Sequence, residues 1–183
     1  MLRCAGRVEK TSEIRLTIYH ANQCDPKRCT GLKLKRLGLA RIVTKTRFMP
    51  KRAIILNPFA KVAFSPLDRN RVANFGLAAL DCSWEHAEKV LSHNVKGTSR
   101  CLPVLIAGNP TNFAKATKLT TAEALAAALY IAGFKKEAKE LLSVFTWGHT
   151  FFELNAVLLD EYAAAKDSSE VVAIIQSKNG QKT

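Results

Sequence analysis

Cys24 and Cys29 stand in the stretch "QCDPKRCTGLKLKR" (23–36), with His20 four residues before the first and Lys27, Arg28, Lys33, Lys35 and Arg36 around them. Three chemistries use such residues. A structural zinc site prefers a closer cysteine pair and a second pair downstream, and the chain holds no CxxC. The expectation is therefore no metal. The same absence counts against a thiol redox pair. An anion grip fits better: Asp25-Pro26 sets a turn, Thr30-Gly31 supplies a hydroxyl and a flexible backbone, and cations flank both. A loop of that kind presents backbone N–H groups to a carboxylate or phosphate.

A second stretch, "LDCSW" (80–84), puts Asp81 at the carboxyl end of an apolar run, just before a helix that opens at Ser83. Ligands of α/β proteins sit beyond the carboxyl ends of strands, so Asp81 is either a working carboxylate or a cap of that helix. His86, His93 and His149 are isolated and read as structural or surface residues. No GxGxxG, Walker A, GxSxG or HExxH pattern occurs.

The elements that must hold these residues follow from periodicity. "IRLTIYH" (14–20) alternates at period two and reads as a strand, as do "GLARIV" (38–43), "AIIL" (53–56) and "FGLAALD" (75–81). Ser65-Pro66 opens a helix over 65–73. Residues 83–94 carry Trp84, Ala87 and Leu91 on one helical stripe. "CLPVLIAG" (101–108) reads as a strand edge or an irregular crossover because of Pro103. Thr120 and Glu123 form a capping box ahead of "AEALAAALYIAG", which Gly133 ends. Helical spacing continues through "KKEAKELLSVF", "FFELNAVLLDEYAAA" and "SEVVAIIQSKN". The expected division is a basic α/β domain over 1–101 and a helical domain over 102–183, with a ligand between them.

Charge supports that division. Of the 183 residues, 1–100 hold 20 Lys and Arg against 7 Asp and Glu, a net of +13, whereas 101–183 hold 8 of each. Eleven basic residues and no acidic one lie between Asp25 and Asp68. A one-sided run of that length points to a polyanion, and RNA or DNA is the expected partner. No apolar run approaches the roughly 20 residues of a membrane helix. The start, "MLRCAGRVEK", lacks a signal-peptide pattern, so the expected location is the cytoplasm. Five scattered cysteines argue against a disulfide framework.

Taken together, "IYHANQCDPKRCTGLKL", "LNPFAKVAFSPLDRN", "LAALDCSW", "LPVLIAGNPTNF", "KLTTAEALAAALYIAG" and "LLSVFTWGHTFFELNAVLLDEY" resemble, in this order, the small-subunit ribosomal RNA aminocarboxypropyltransferase family in its short archaeal form. The resemblance runs from about residue 14 to 165. It implies an RNA-modifying enzyme that moves the 3-amino-3-carboxypropyl group of S-adenosylmethionine to N3 of a pseudouridine, with or without an N1-methyl group, in small-subunit rRNA, releasing methylthioadenosine. It also implies a SPOUT-like α/β fold with a deep trefoil knot, a mixed-sheet N-terminal half and an all-helical C-terminal half, acting as a monomer. One departure is visible: Ala114 follows Phe113 where an aromatic-plus-glycine pair is associated with the family.

By resemblance, Trp84 and Ala87 wall a pocket for the methyl group, and Leu56 and Pro58 line the adenine side. Backbone around Leu102, Thr117 and Thr121 binds adenine, ribose and carboxylate, and Thr30 gives its N–H to the methionine carboxylate. Asp81 touches the bound donor and takes or orients the N3 proton. Lys27, Arg28, Lys33, Lys35, Arg36, Arg47, Lys51, Arg52, Arg69 and Arg71 are the candidate RNA contacts, mostly to phosphate, and the cysteines are packing residues. The competing readings are a SPOUT-type RNA methyltransferase and a non-catalytic RNA-binding assembly factor.

Overall fold

The computed structural model describes residues 14–23, 25–26, 28–82 and 96–180. The predicted helix over 83–94, with Ser83, Trp84 and Ala87, lies outside the described residues, as do Cys24 and Lys27. Among the described residues five strands and two helices come first: β1 Leu16–His20, α1 Thr30–Arg36, β2 Arg41–Val43, β3 Ile54–Leu56, α2 Arg69–Phe75, β4 Leu77–Asp81 and β5 Thr98–Arg100. Four helices close the chain: α3 Thr121–Ile131, α4 Lys135–Ser143, α5 Gly148–Ala164 and α6 Ser168–Gly180.

The strands form one sheet in the order β2-β1-β4-β3-β5, and each of its neighbouring pairs is parallel. This corrects the mixed-sheet expectation. The reason is legible in burial: all five residues of β1 and all three of β3 are buried, and strands covered on both faces belong to parallel sheets. The period-two alternation of 14–20 does not correspond to an inside and an outside face. β5 was not anticipated, because "TSR" is polar and short. Arg100 on it donates to Asp68 Oδ1 at 3.0 Å, tying the strand to the turn before α2. In that turn the Ser65 N–H donates to Asp68 Oδ2 at 3.2 Å.

The SPOUT-like expectation with its deep trefoil knot is corrected in the same way: the architecture is a parallel five-stranded α/β sheet with flanking helices. The knot rested on resemblance alone, and hydrophobic periodicity carries no information on chain threading. The C-terminal half is not all-helical either. Residues 101–120 contain no helix and carry bridges pairing Ala63 with Cys101 and Ile106 with Ala116.

That irregular stretch is buried in part, so its backbone polar groups need partners. Backbone partners answer Cys101, Leu105 and Ala107, Tyr162 Oη donates to Val104 O at 3.2 Å, and two more side chains answer Ile106, Gly108 and Asn109. Asn155 on α5, 1% exposed, accepts from Ile106 N at 2.7 Å and donates to Ile106 O at 2.8 Å, standing in for a neighbouring strand. Glu123 in the first turn of α3 is wholly buried. Its carboxylate accepts from Gly108 N (2.7 Å), Asn109 N (2.9 Å), Asn109 Nδ2 (2.8 Å), Thr120 N (2.7 Å) and Thr120 Oγ1 (2.9 Å). The predicted capping box is thus present and does more than cap. α3 itself is apolar all round and buried against β4, α1, α4 and α5. One continuous apolar cluster joins Ile18, Ile54 and Leu77 of the sheet to Leu125, Leu129 and Phe151.

Ala114 has φ +61°, in the left-handed region that favours glycine. This is the position where the resemblance calls for glycine. Ala114→Gly is expected to stabilise the fold by about 1 kcal/mol, seen as a higher denaturant midpoint at unchanged slope. Glu123→Ala strips acceptors from buried backbone donors and is expected to cost about 4 kcal/mol in the same titration.

Candidate functional site

A cavity of about 460 Å³ opens at the carboxyl ends of β3, β4 and β5, where parallel α/β sheets place their ligands. The volume suits a molecule of cofactor size. One side is built by Arg28, Cys29 and Thr30 before α1, Leu56, Asn57 and Pro58 after β3, and Ala79 to Cys82 at the end of β4. The other side is Cys101, Leu102 and Pro103 after β5, Thr117, and Leu119 to Thr121 with Ala124 at the start of α3.

The structure therefore brings together Thr30, Leu56, Pro58, Asp81, Leu102, Thr117 and Thr121, which lie as far as 91 positions apart in sequence. Asn57, Cys82, Cys101, Thr120 and Ala124 also line the cavity and were missed as site residues. Thr120 was legible as a helix cap, but nothing in a cap announces a cavity. Asn57 was overlooked between two residues that were singled out. It donates through Nδ2 to Ser99 Oγ at 3.3 Å and accepts from Phe59 N at 2.8 Å, holding the turn after β3. Thr30 Oγ1 accepts the Ala122 N–H at 3.4 Å, joining the N-terminal ends of α1 and α3 at the cavity.

Asp81 stands on the cavity wall, its side chain 18% exposed. The register of β1 against β4 sets His20 beside it. His20 is 3% exposed, with Nε2 3.8 Å from Asp81 Oδ2. The Asn22 N–H donates to His20 Nδ1 at 3.1 Å. Cys29, 7% exposed, donates Sγ–H to Asp81 Oδ2 at 3.0 Å and accepts from Leu32 N at 3.4 Å as the N-cap of α1. Cys29 is thus more than the packing residue expected of it. The Asp25-Pro26 turn is formed, with the Arg28 and Cys29 N–H groups both donating to Asp25 O, at 3.0 and 2.9 Å. Gly31 leaves room for the carboxylate here, because a Cβ on it would lie 2.9 Å from Asp81 Oδ2 and push that oxygen aside.

The candidate RNA contacts divide. Arg28 lines the cavity and donates to Thr111 Oγ1 at 2.9 Å. Lys35 and Arg36 are exposed on the last turn of α1, and Lys51 is exposed before β3. Lys33 lies 4.7 Å over the Phe145 ring, Arg47 4.9 Å over Phe48 and Arg52 4.2 Å over Phe75. Arg69 and Arg71 are engaged with the fold: they donate to Ala132 O at 2.7 Å and to Arg52 O at 3.2 Å.

Residues 54–178 match the family model described as "Ribosome biogenesis protein, C-terminal". Residues 14–47 match one described as "Possible Fer4-like domain in RNase L inhibitor". An iron–sulfur cluster of that kind takes four thiolates. Residues 14–47 hold two cysteines, Cys24 and Cys29, and the Cys29 thiol faces a carboxylate, so these residues do not fit such a cluster. The 16S rRNA aminocarboxypropyltransferase of Methanosarcina acetivorans is 51% identical over 164 residues, covering 88% of this chain and 92% of its own length. That of Methanocaldococcus jannaschii is 48% identical over 162 residues, 88% of this chain and 94% of its own. The solved structure of the SAM-dependent rRNA:acp-transferase Tsr3 from Vulcanisaeta distributa superposes with a TM-score of 0.79 at 38% identity, over 91% of this chain and 98% of that one.

Burial, and secondarily the charge of Asp81, pushes the Cys82 thiol up to about 11. Thiolate is the reactive form, so at pH 8 Cys82 should react with an aromatic disulfide reagent about a hundredfold more slowly than a thiol at its ordinary value. The rate should climb as pH rises towards 11. Asp81→Asn, which removes the neighbouring charge, should speed the reaction.

Proposed function

The chain belongs to the 16S rRNA aminocarboxypropyltransferase family, and from that premise we propose how the cavity at the strand ends carries the reaction. The protein is an S-adenosylmethionine-dependent rRNA aminocarboxypropyltransferase acting in ribosome biogenesis. Its cavity binds the adenosylmethionine. Thr30, Leu56, Pro58, Leu102, Thr117 and Thr121 hold that donor, and Trp84 and Ala87 enclose its methyl group. The observation carrying this reading is the convergence of Asp81 with those six residues around one cavity of suitable volume.

A sulfonium carries three carbons open to substitution, and the one that meets the nucleophile in line decides the product. An apolar wall around the methyl, with the amino-acid arm turned towards the mouth, selects aminocarboxypropyl transfer. The acceptor is N3 of an N1-methylpseudouridine in small-subunit rRNA. Asp81 takes the N3 proton or orients the base as the new N–C bond forms. The breaking C–S bond leaves its electron pair on sulfur, so the other product is neutral methylthioadenosine. Because transfer cancels the positive charge on sulfur, a carboxylate at the wall also holds the cationic donor more tightly than the neutral product, which leaves more readily.

RNA lies across the basic N-terminal half, on Lys27, Arg28, Lys33, Lys35, Arg36, Arg47, Lys51 and Arg52. Arg69 and Arg71 chiefly brace the fold. Domains 1–101 and 102–183 contribute the two sides of the cavity. The protein acts as a monomer in the cytoplasm on small-subunit rRNA or a pre-ribosomal particle.

Adenosylmethionine labelled separately in its methyl and carboxyl carbons tests the reading on small-subunit rRNA that carries the N1-methylpseudouridine but lacks its aminocarboxypropyl group. Carboxyl label should enter RNA and methyl label should leave in methylthioadenosine; methyl label in RNA would make this a methyltransferase, and no label a binding factor. Asp81→Asn should lower kcat by about a hundredfold, and an unchanged kcat would remove the carboxylate from the chemistry.

A further inference from the structure

Resting on the reading of Asp81 as the acting carboxylate, we propose that Cys29 is a positioning residue for the transfer: its thiol proton, donated to Asp81 Oδ2, fixes where the carboxylate stands in the cavity. The proton is held across 3.0 Å between two groups 52 positions apart in sequence. A part-buried hydrogen bond from a thiol to a carboxylate restricts its acceptor more than a solvent-exposed one does.

Cys29 is well placed to act as a fixed point. Its N–H donates to Asp25 O at 2.9 Å, and its sulfur also caps α1 by accepting from Leu32 N at 3.4 Å. The thiol therefore has both its donor and its acceptor functions assigned. Behind it, His20 Nε2 is 3.5 Å from the sulfur and 3.8 Å from Asp81 Oδ2. These three ligand atoms lie within 4.8 Å of one another, close enough to hold a cation. The 3.0 Å separation of sulfur and carboxylate oxygen is hydrogen-bond geometry, and a proton accounts for it. Gly31 completes the arrangement, since a Cβ there would crowd the same oxygen at 2.9 Å. The carboxylate is thus located by α1, β1 and β4 together. A loss of about 1 Å in placement is enough to cost a reaction of this type up to a hundredfold.

The test measures kcat, the KM for each substrate and the thermal midpoint of Cys29→Ala and Cys29→Ser, each in the native and in the Asp81→Asn background. Cys29→Ala should lower kcat about tenfold or more while the KM for adenosylmethionine stays within about twofold. Cys29→Ser, which keeps a donor, should recover most of that loss. In the Asp81→Asn background, Cys29→Ala should cost nothing further, the non-additivity expected of residues acting as a unit. An unchanged kcat in Cys29→Ala, or an equal loss in both backgrounds, would overturn the proposal. Full activity of Asp81→Asn alone would overturn the carboxylate reading beneath it, a separate and recognisable result. Should Cys29→Ala not fold, Gly31→Ala displaces the same oxygen from the other side, and its kcat loss should likewise vanish on Asp81→Asn.

Discussion

One buried carboxylate holds the cavity open. Glu123 gathers donors from Gly108, Asn109 and Thr120 onto its two oxygens, and so fastens the end of the crossover to the start of α3. An ionised group out of water is tolerated only when its lone pairs are answered, and here they are answered mainly by backbone. Asn155 does the complementary service at Ile106. Between them these two side chains answer the backbone of Ile106, Gly108 and Asn109, where no strand partner does. The chain can then leave the sheet beside β5, pass through the interior, and present Leu102, Pro103 and Thr117 to the cavity.

The other side of the cavity is set by strand register. Parallel pairing aligns His20 with Asp81 at the last position of β1 and β4, so both reach the same strand ends. α1 then descends on this pair with Cys29 at its cap and a glycine at its first turn. A regular sheet thus supplies the carboxylate's location, and a short loop supplies its orientation. Lys33, Arg47 and Arg52, among the residues proposed to meet RNA, rest on aromatic rings, which orients their long side chains.

Local rules were read correctly where the signal is local. The Thr120–Glu123 box, the helix entry at Ser65-Pro66 and the end of α3 at Gly133, with φ +83°, all follow from caps and backbone conformation. Elements stabilised from outside were not. β5 is a polar tripeptide that becomes a strand because β3 lies beside it and Asp68 takes Arg100. Strand direction was misjudged because apolar content shows that a strand is covered but not which way its neighbour runs. The proposed SPOUT-like knot failed for the same kind of reason, since threading is a property of the whole path.

What the sequence by itself determined is the list of participants: a one-sided positive charge, a turn at Asp25-Pro26, a carboxylate at a strand end, and the segments that tie the chain to its family. These are properties of composition and of neighbours within a few residues. Only the tertiary structure decided that Cys29 faces Asp81, that Glu123 reaches back to Gly108, and that Arg69 and Arg71 brace the fold. A hydrogen bond between residues 15 to 63 positions apart depends on strand order and helix docking, and neither is written in the spacing of residue types.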